Sequence, residues 1–360
     1  MNSRRLWAVM LKEVRQLRRD RITLGMIIGI PVLQLVLFGF AINLNLRSLQ
    51  AAIADQAGTA GSRAMVMDMV ATGVIDVSAQ ARTPQELMTM LRRGQISVGV
   101  AIPPDFERRR IDGREAVQVL VDGTDTVVQG AAAQLAQMPL DSSQPGGPPR
   151  INVVGFYNPE RRSAVNIVPG LIGVILTMTM VMFTAVAIVR ERERGNMELL
   201  IATPLSTIEL MVGKVLPYIA IGMVQVTLVL LIGMWVFDVP IRGSVLDVYL
   251  ASGLFVLANL TLGLLISTKA QSQFQSMQMT FFVFLPSILL SGFMFPFAGM
   301  PRVVQWLAEV LPLTHFLRLI RGVMLRGASL WELWPDVLAL VVFTAAMMAL
   351  AVSRFRKRLD

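Results

Sequence analysis

The sequence predicts an α-helical polytopic membrane protein with six transmembrane helices and an extracytoplasmic α/β domain inserted between helices 1 and 2. Three observations carry this. Six apolar runs, at 22–42, 167–189, 215–237, 248–268, 274–296 and 337–353, contain no Asp, Glu, Lys or Arg, and each is close to the ~20 residues needed to cross about 30 Å of hydrocarbon. Residues 45–165, between the first run and the second, change from uniform apolarity to alternation. Basic residues gather in two short tails. Over half of the chain is hydrophobic (54%) and only 16% is charged, so most of it is solvated by lipid.

The tails set the orientation. Residues 1–21 hold Arg4, Arg5, Lys12, Arg15, Arg18, Arg19 and Arg21, and residues 354–360 hold Arg354, Arg356, Lys357 and Arg358. Loops and tails rich in Lys and Arg stay in the cytosol, so both termini are predicted there. Residues 47–162 contain 12 basic and 12 acidic residues, which leaves the net charge of +9 mainly in the tails. These bases abut bilayer-length apolar runs and lack an aromatic-interleaved groove, which argues against nucleic acid and for anionic lipid headgroups as their partner. In residues 1–21, Trp7, Met10, Val14 and Leu17 recur at helical spacing between the bases, the pattern of an amphipathic helix lying on the inner surface. The 22–42 run exceeds the ~7–15 residues of a signal-peptide core. Asn43-Leu44-Asn45-Leu46 offers no small-x-small cleavage site, so that run is expected to remain as a helix.

Within 45–165, β-like runs at 51–54, 96–102, 117–121 and 151–156 alternate with helical stretches at 62–69, 84–93 and 124–138, the rhythm of a small α/β domain. Thr83-Pro-Gln-Glu86 has the form of a capping box with proline at the first helical position. Asp122-Gly-Thr-Asp125 reads as a strand-ending turn followed by a helix cap, and Asp141 to Pro149 as a loop. The chain has no cysteine, so the domain is held without disulfides.

Several function classes are excluded. The single histidine, His315, has no cysteine or carboxylate pair beside it in sequence and reads as an interfacial packing residue, not a metal ligand. No phosphate-binding Gly-x-x-x-x-Gly-Lys-Ser/Thr loop occurs, since Gly213-Lys214 is followed by Val215; this chain is expected to bind no cofactor, to hydrolyse no ATP and to act as a transport subunit, not an enzyme. The apolar runs lack the ionisable residue that an ion-coupled transporter needs near the midplane. Energy must then enter from a partner, and the charged link after the second run is its entrance.

That link, Arg190-Glu-Arg-Glu-Arg-Gly-Asn-Met-Glu-Leu-Leu-Ile-Ala-Thr-Pro-Leu-Ser-Thr-Ile-Glu-Leu-Met-Val-Gly-Lys214, resembles the signature of the type-2 export permeases of ATP-binding-cassette (ABC) transporters. The likeness continues on both sides. Lys12-Glu13 with Arg18-Arg-Asp-Arg21, then Pro31 and Phe38-Gly-Phe-Ala-Ile42, is similar to that family's surface helix and first span. Asp122-Gly-Thr-Asp125, Tyr157-Asn-Pro159 and Val168-Pro-Gly170 resemble markers of the multidrug-export-like subgroup with a large outer domain. Pro301, Trp306, Leu311-Pro-Leu-Thr314 and Arg321-Gly-Val-Met-Leu-Arg-Gly327 resemble the region before the last span.

The resemblance implies that residues 190–214 form a coupling region contacting a separate ABC ATPase in two copies, which would carry the ATP and Mg. Glu191, Glu193, Glu198 and Glu209 would be its acidic groups, Arg190, Arg192, Arg194 and Lys214 its basic ones, with Gly195, Thr203 and Pro204 shaping the turn. Asn196 departs from the threonine expected there. It further implies a second permease (homodimer or paralogue), a periplasmic membrane-fusion adaptor, and export of drug-like or lipid-like substrates across an inner membrane. Asn259, Thr261, Gln275 and Gln278 are candidate path-facing groups, with helix–helix hydrogen bonding the other account.

Residues 297–331 mix apolar residues with Arg302, Arg318, Arg321 and Arg326 and are expected to form short helices dipping into the outer interface. Trp235, Trp306, Trp331 and Trp334 fall near the outer boundaries, where indole rings settle. By resemblance His315, Arg318 and Arg321 would touch substrate near the exit; simple snorkelling of the arginines is the blander account. A receptor or scaffold whose periplasmic domain binds a partner is the rival reading, and it leaves the charged link without a task.

Overall fold

The computed structural model describes residues 48–124, 126–137, 150–160, 162–195 and 207–354. The surface helix of residues 1–21, the 22–42 span, the 141–149 loop, residues 196–206 of the link and the end of the basic tail lie outside the described residues.

The α/β domain between the predicted first and second spans holds a five-stranded sheet in the order β2-β1-β3-β4-β5. Its elements are β1 (Leu49–Asp55), α1 (Ala60–Ala71), β2 (Ile75–Gln80), α2 (Pro84–Arg92), β3 (Val98–Ile102), α3 (Phe106–Ile111), β4 (Glu115–Asp122), α4 (Thr126–Ala133) and β5 (Arg150–Phe156). Neighbours are parallel except β3 and β4. Successive strand residues face opposite ways, and β1 shows the result. Ala51 and Ile53 join a core with Met65, Met69 and Phe106 from α1 and α3, whereas Ala52 and Ala54 face Leu87 and Leu91 of α2. The α2 side has small residues because the helix lies close: a Cβ on Gly99 of β3 would sit 3.3 Å from Leu87 Cβ.

The four β-like runs of the sequence correspond to β1, β3, β4 and β5, and β2 and α3 are additions. In β2 the burial alternates along Ile75–Gln80 with only Ile75 fully enclosed, so few apolar side chains announce an edge strand. Thr83 caps α2 as expected, its hydroxyl accepting from the Glu86 amide at 3.2 Å. The reciprocal bond lands one residue earlier, with Glu86 accepting from the Arg82 amide at 2.7 Å.

The remaining helices are α5 (Ser163–Glu193), α6 (Thr207–Trp235), α7 (Val245–Lys269), α8 (Gln273–Leu290), α9 (Arg302–Glu309), α10 (Pro312–Met324) and α11 (Trp334–Arg354). Among the described residues, α5, α7, α11 and the Pro217–Trp235 part of α6 can each cross a membrane by length and composition; α9 and α10, bent by 85° at their junction, raise that number to five if counted as one span. The predicted 274–296 span is shorter than its apolar run. Helix α8 stops at Leu290, and Gly292 then turns the chain at φ 89°. Eighteen residues give about 27 Å at 1.5 Å per residue, so α8 is marginal for a full crossing.

Helix α7 is the hub: 72% of its apolar window is enclosed by the chain, against 22% in α6 and 11% in α11. Glycines allow this, since helices in lipid gain by close backbone approach. A Cβ on Gly173 of α5 would stand 2.8 Å from the Phe316 ring of α10, and Phe316 stacks on Phe255 of α7 with centroids 4.2 Å apart. Thus α10 enters the bundle more deeply than an interfacial helix would. Helix α9 does present its apolar side outward, with Val303, Trp306 and Leu307 exposed, as expected of a headgroup-level element.

Candidate functional site

A cavity of about 640 Å³ opens where the α/β domain meets α9, α10 and the start of α11. Its walls are charged, and side chains far apart in sequence supply them. From the α/β domain come Arg93, Gly94 and Asp122; from the helical part come Glu309, Arg318, Arg321, Arg326, Glu332 and Asp336.

Ionic contacts fasten the α/β domain to the helices at two places across this cavity. Arg326 Nη1 donates to Asp122 Oδ2 at 3.4 Å, with the two side chains only 8% and 13% exposed. Arg326 fits because Gly94, at φ +69°, presents bare backbone: a Cβ there would stand 2.6 Å from Arg326 Nη1. At the rim, Arg92 Nη2 donates to Glu332 Oε1 at 2.5 Å and Arg93 Nε lies 3.8 Å from the same oxygen. Tyr157, at the exit from β5, has its phenol pushed up by burial and by the nearby Asp122 carboxylate.

Burial alone would raise the Glu332 carboxyl. Hydrogen bonds from the Ser329 amide and Arg92, together with the charges of Arg92 and Arg93, outweigh it and hold the group below its usual value of 4.5. A depressed carboxylate contributes fully above its unfolded value and loses that contribution as pH falls through the lower folded value. Docking at this rim is therefore expected to be unchanged between pH 7 and 5 and to loosen only as pH falls below the ordinary value of 4.5. An exposed pair of this kind is worth at most about 1 kcal/mol. Hydrogen exchange at residues 329–333 across that range measures it, and loosening already at pH 6 would contradict the assignment.

A second network ties α9, α10 and α11 together. Arg318 of α10 forms a two-pronged pair with Glu309 of α9, at 3.1 and 2.5 Å. His315 Nε2 meets the Glu309 carbonyl and Nδ1 meets Asp336 Oδ1 of α11, each at 2.8 Å. The carbonyl can only accept, so Nε2 carries a hydrogen. His315 thus does more than pack: it bridges α9 and α11. Arg321 donates to the Gly292 carbonyl at 3.2 Å, at the turn after α8.

Of the sequence-derived path residues, Arg318 and Arg321 line the cavity. Asn259 and Thr261 are buried in α7 and bond within their own helix, to Phe255 O at 2.9 Å and Ala258 O at 2.9 Å. Gln275 closes the α7–α8 turn by accepting from the Gln271 amide, and Gln278 is half-buried on the same helix.

Of the coupling residues, Arg190, Glu191, Arg192, Glu193 and Arg194 continue or end α5, and Gly195 follows at φ 74°. Arg192 donates to Ala270 O at 3.1 Å, and Glu193 accepts from the Gln273 amide at 2.9 Å, which joins the end of α5 to the start of α8. Glu198, Thr203 and Pro204 lie outside the described residues; Glu209 and Lys214 fall within α6.

Asp122, Glu309, Arg326, Glu332 and Asp336 are the site groups that sequence reasoning passed over. Asp122 and Arg326 each belong to a stretch singled out by resemblance, yet nothing in one dimension joins positions 204 residues apart.

The family described as "ABC-2 family transporter protein" matches residues 21–353. The chain is 32% identical over 370 residues to the "Probable multidrug ABC transporter permease YbhS" of Escherichia coli K12, covering 99% of this chain and 98% of that protein. It is 30% identical over 363 residues to the "Probable multidrug ABC transporter permease YbhR" of the same organism, covering 98% and 99%. It is 29% identical over 296 residues to the "Inner membrane transport permease YhhJ", covering 76% and 77%.

Proposed function

This chain belongs to the ABC-2 family of transporter proteins and is a permease of that type, and on that premise we propose that it is the membrane subunit of an ATP-driven exporter for amphipathic or hydrophobic substrates. The observation that carries this reading is end-to-end similarity to two permeases named for multidrug transport. Six spans are reached by adding residues 22–42 and α8 to the four helices long and apolar enough to cross, with both termini in the cytosol and the protein in an inner membrane. Two copies of a cytosolic ABC ATPase, carrying the ATP and Mg, grip residues 190–214. A second permease, identical or paralogous, completes the path, and a periplasmic adaptor receives the substrate from the outer domain. ATP-driven closure of the ATPases pushes the α5–α6 link and alternates the exposure of the path.

The internal contacts of Glu193 shape the test. Because Glu193 holds the start of α8, reversing its charge would disturb the fold as well as any interface. The informative variant is Glu198→Arg, with Glu193→Gln as the companion that keeps an acceptor. Co-purification of the tagged chain with its ATPase in detergent is expected to be stoichiometric for wild type and Glu193→Gln and to fall at least about tenfold for Glu198→Arg, as for loss of a charged interface contact. An ATPase absent from well-folded wild type would overturn the reading in favour of a receptor whose outer domain binds a ligand.

A further inference from the structure

We propose that the cavity between the outer domain and α10 is a binding site for the oxyanion head, phosphate or carboxylate, of an amphipathic molecule, with Arg326 as its principal donor. Arg326 lines the cavity and its side chain is more than nine-tenths buried. A guanidinium has five N–H donors. Two of them reach acceptors, Asp122 Oδ2 and Arg318 O, both at the long distance of 3.4 Å. Its Nε is buried with no acceptor. Asp122 serves it weakly, since only Oδ2 reaches the guanidinium, at 3.4 Å, while Oδ1 is turned to the Thr124 amide at 3.0 Å. A buried cation held only by long bonds is costly, and an oxyanion at the second hydrogens of Nη1 and Nη2 supplies the charge-assisted partners that it lacks.

The surroundings fit the rest of such a molecule. Arg318 and Arg93 face the same space, and Leu317, Leu333, Phe297 and Trp334 add an apolar side. A volume of about 640 Å³ lies within the range of small-molecule sites, roughly 300–1,000 Å³. Arg318 is already committed to Glu309, Arg93 lies against Glu332 and Arg321 donates to the Gly292 carbonyl, so Arg326, held only by long bonds, is the donor that a ligand would change most. Taken with the export reading, on which its biological meaning rests, the site holds the polar head of a substrate as it leaves between α10 and the outer domain.

The test uses the purified full chain in uncharged maltoside micelles and radiolabelled dihexanoyl-phosphatidic acid, measured by equilibrium dialysis with protein-free micelles subtracted. Wild type is expected to bind it; Arg326→Gln is expected to bind about tenfold more weakly, the effect of losing one charge-assisted contact. Asp122→Asn removes the competing carboxylate and is expected to bind several-fold more tightly. The opposite signs matter, since damage to the fold would weaken both. Dihexanoylglycerol, which lacks the oxyanion, is expected not to compete, and inorganic phosphate to compete only at concentrations at least about tenfold higher.

Equal binding by wild type and Arg326→Gln, weaker binding by both variants, or competition by dihexanoylglycerol would overturn the site. Phosphate competing as well as the phosphatidic acid would overturn the amphipath and leave a free-anion site. Neither ATP nor the ATPase enters this measurement, so its failure leaves the coupling prediction standing, and failure of the coupling prediction leaves this one standing.

Discussion

Gly263→Leu is expected to prevent assembly of the membrane bundle, and Gly263→Ala to weaken it severely. A Cβ at position 263 would lie 2.7 Å from the carbonyl oxygen of Val181 and 2.9 Å from Thr184 Cβ, both on α5. The first of these is backbone, which cannot rotate away as a side-chain tip can, so α5 and α7 must separate. These two helices form the most enclosed pair of the bundle, and the displacement would carry Val181, Ala185 and Ile266 out of the cluster they share. Overpacking of a tight core costs about 1–3 kcal/mol for a methyl or two, and leucine exceeds that. Gly253→Ala, on the same helix, is the control: its Cβ would meet only the flexible Met223 Cε, at 3.9 Å, and should be tolerated within about 0.5 kcal/mol. Thermal unfolding in detergent, read by size-exclusion recovery, separates the two. Equal recovery of Gly263→Ala and Gly253→Ala would show that the α5–α7 contact is looser than these distances require.

How much of this molecule is legible in its sequence depends on the range of the force that sets each feature. Membrane helices are legible because transfer into lipid is additive along the chain: the runs around Val181, Leu230, Phe255 and Leu340 become α5, α6, α7 and α11. Local hydrogen bonding is equally readable, as at Thr83, whose hydroxyl caps α2. Length is less so. Residues 291–296 are as apolar as α8 itself, and it is the turn at Gly292, a backbone conformation and not a hydropathy signal, that ends the helix.

The cavity is the least legible part because it is made of pairings. Asp122 looks like an ordinary turn residue and does accept from the Thr124 amide, so its second oxygen, which faces Arg326, carries no separate signature. His315 looks like a lone ring because its two partners come from positions 309 and 336, on different helices. Helical periodicity cannot report a contact across the 85° bend between α9 and α10.

That bend supplies the second large effect. Asp336→Ala is expected to cost about 2–4 kcal/mol, because Asp336 serves three purposes at once. It accepts from His315 at 2.8 Å, it stands 3.6 Å from the Arg318 guanidinium, and it lies in the first turn of α11, where a carboxylate faces the positive helix end. Its side chain is only 16% exposed, so solvent replaces these partners poorly once it is gone. Asp336→Asn keeps an acceptor for the His315 ring while losing the charge, and should recover about half of the loss. The consequences are predicted to be local before they are global. Glu309, His315 and Arg318 fasten α9 and α10 to one another, but Asp336 is what fastens that pair to α11, so hydrogen exchange should rise first at 302–324 while α5 and α7 keep their protection. Uniform exchange across the whole bundle would mean that Asp336 supports the fold as a unit; unchanged exchange at 302–324 would mean that the stacking of Phe316 on Phe255 is sufficient to hold α10 without it.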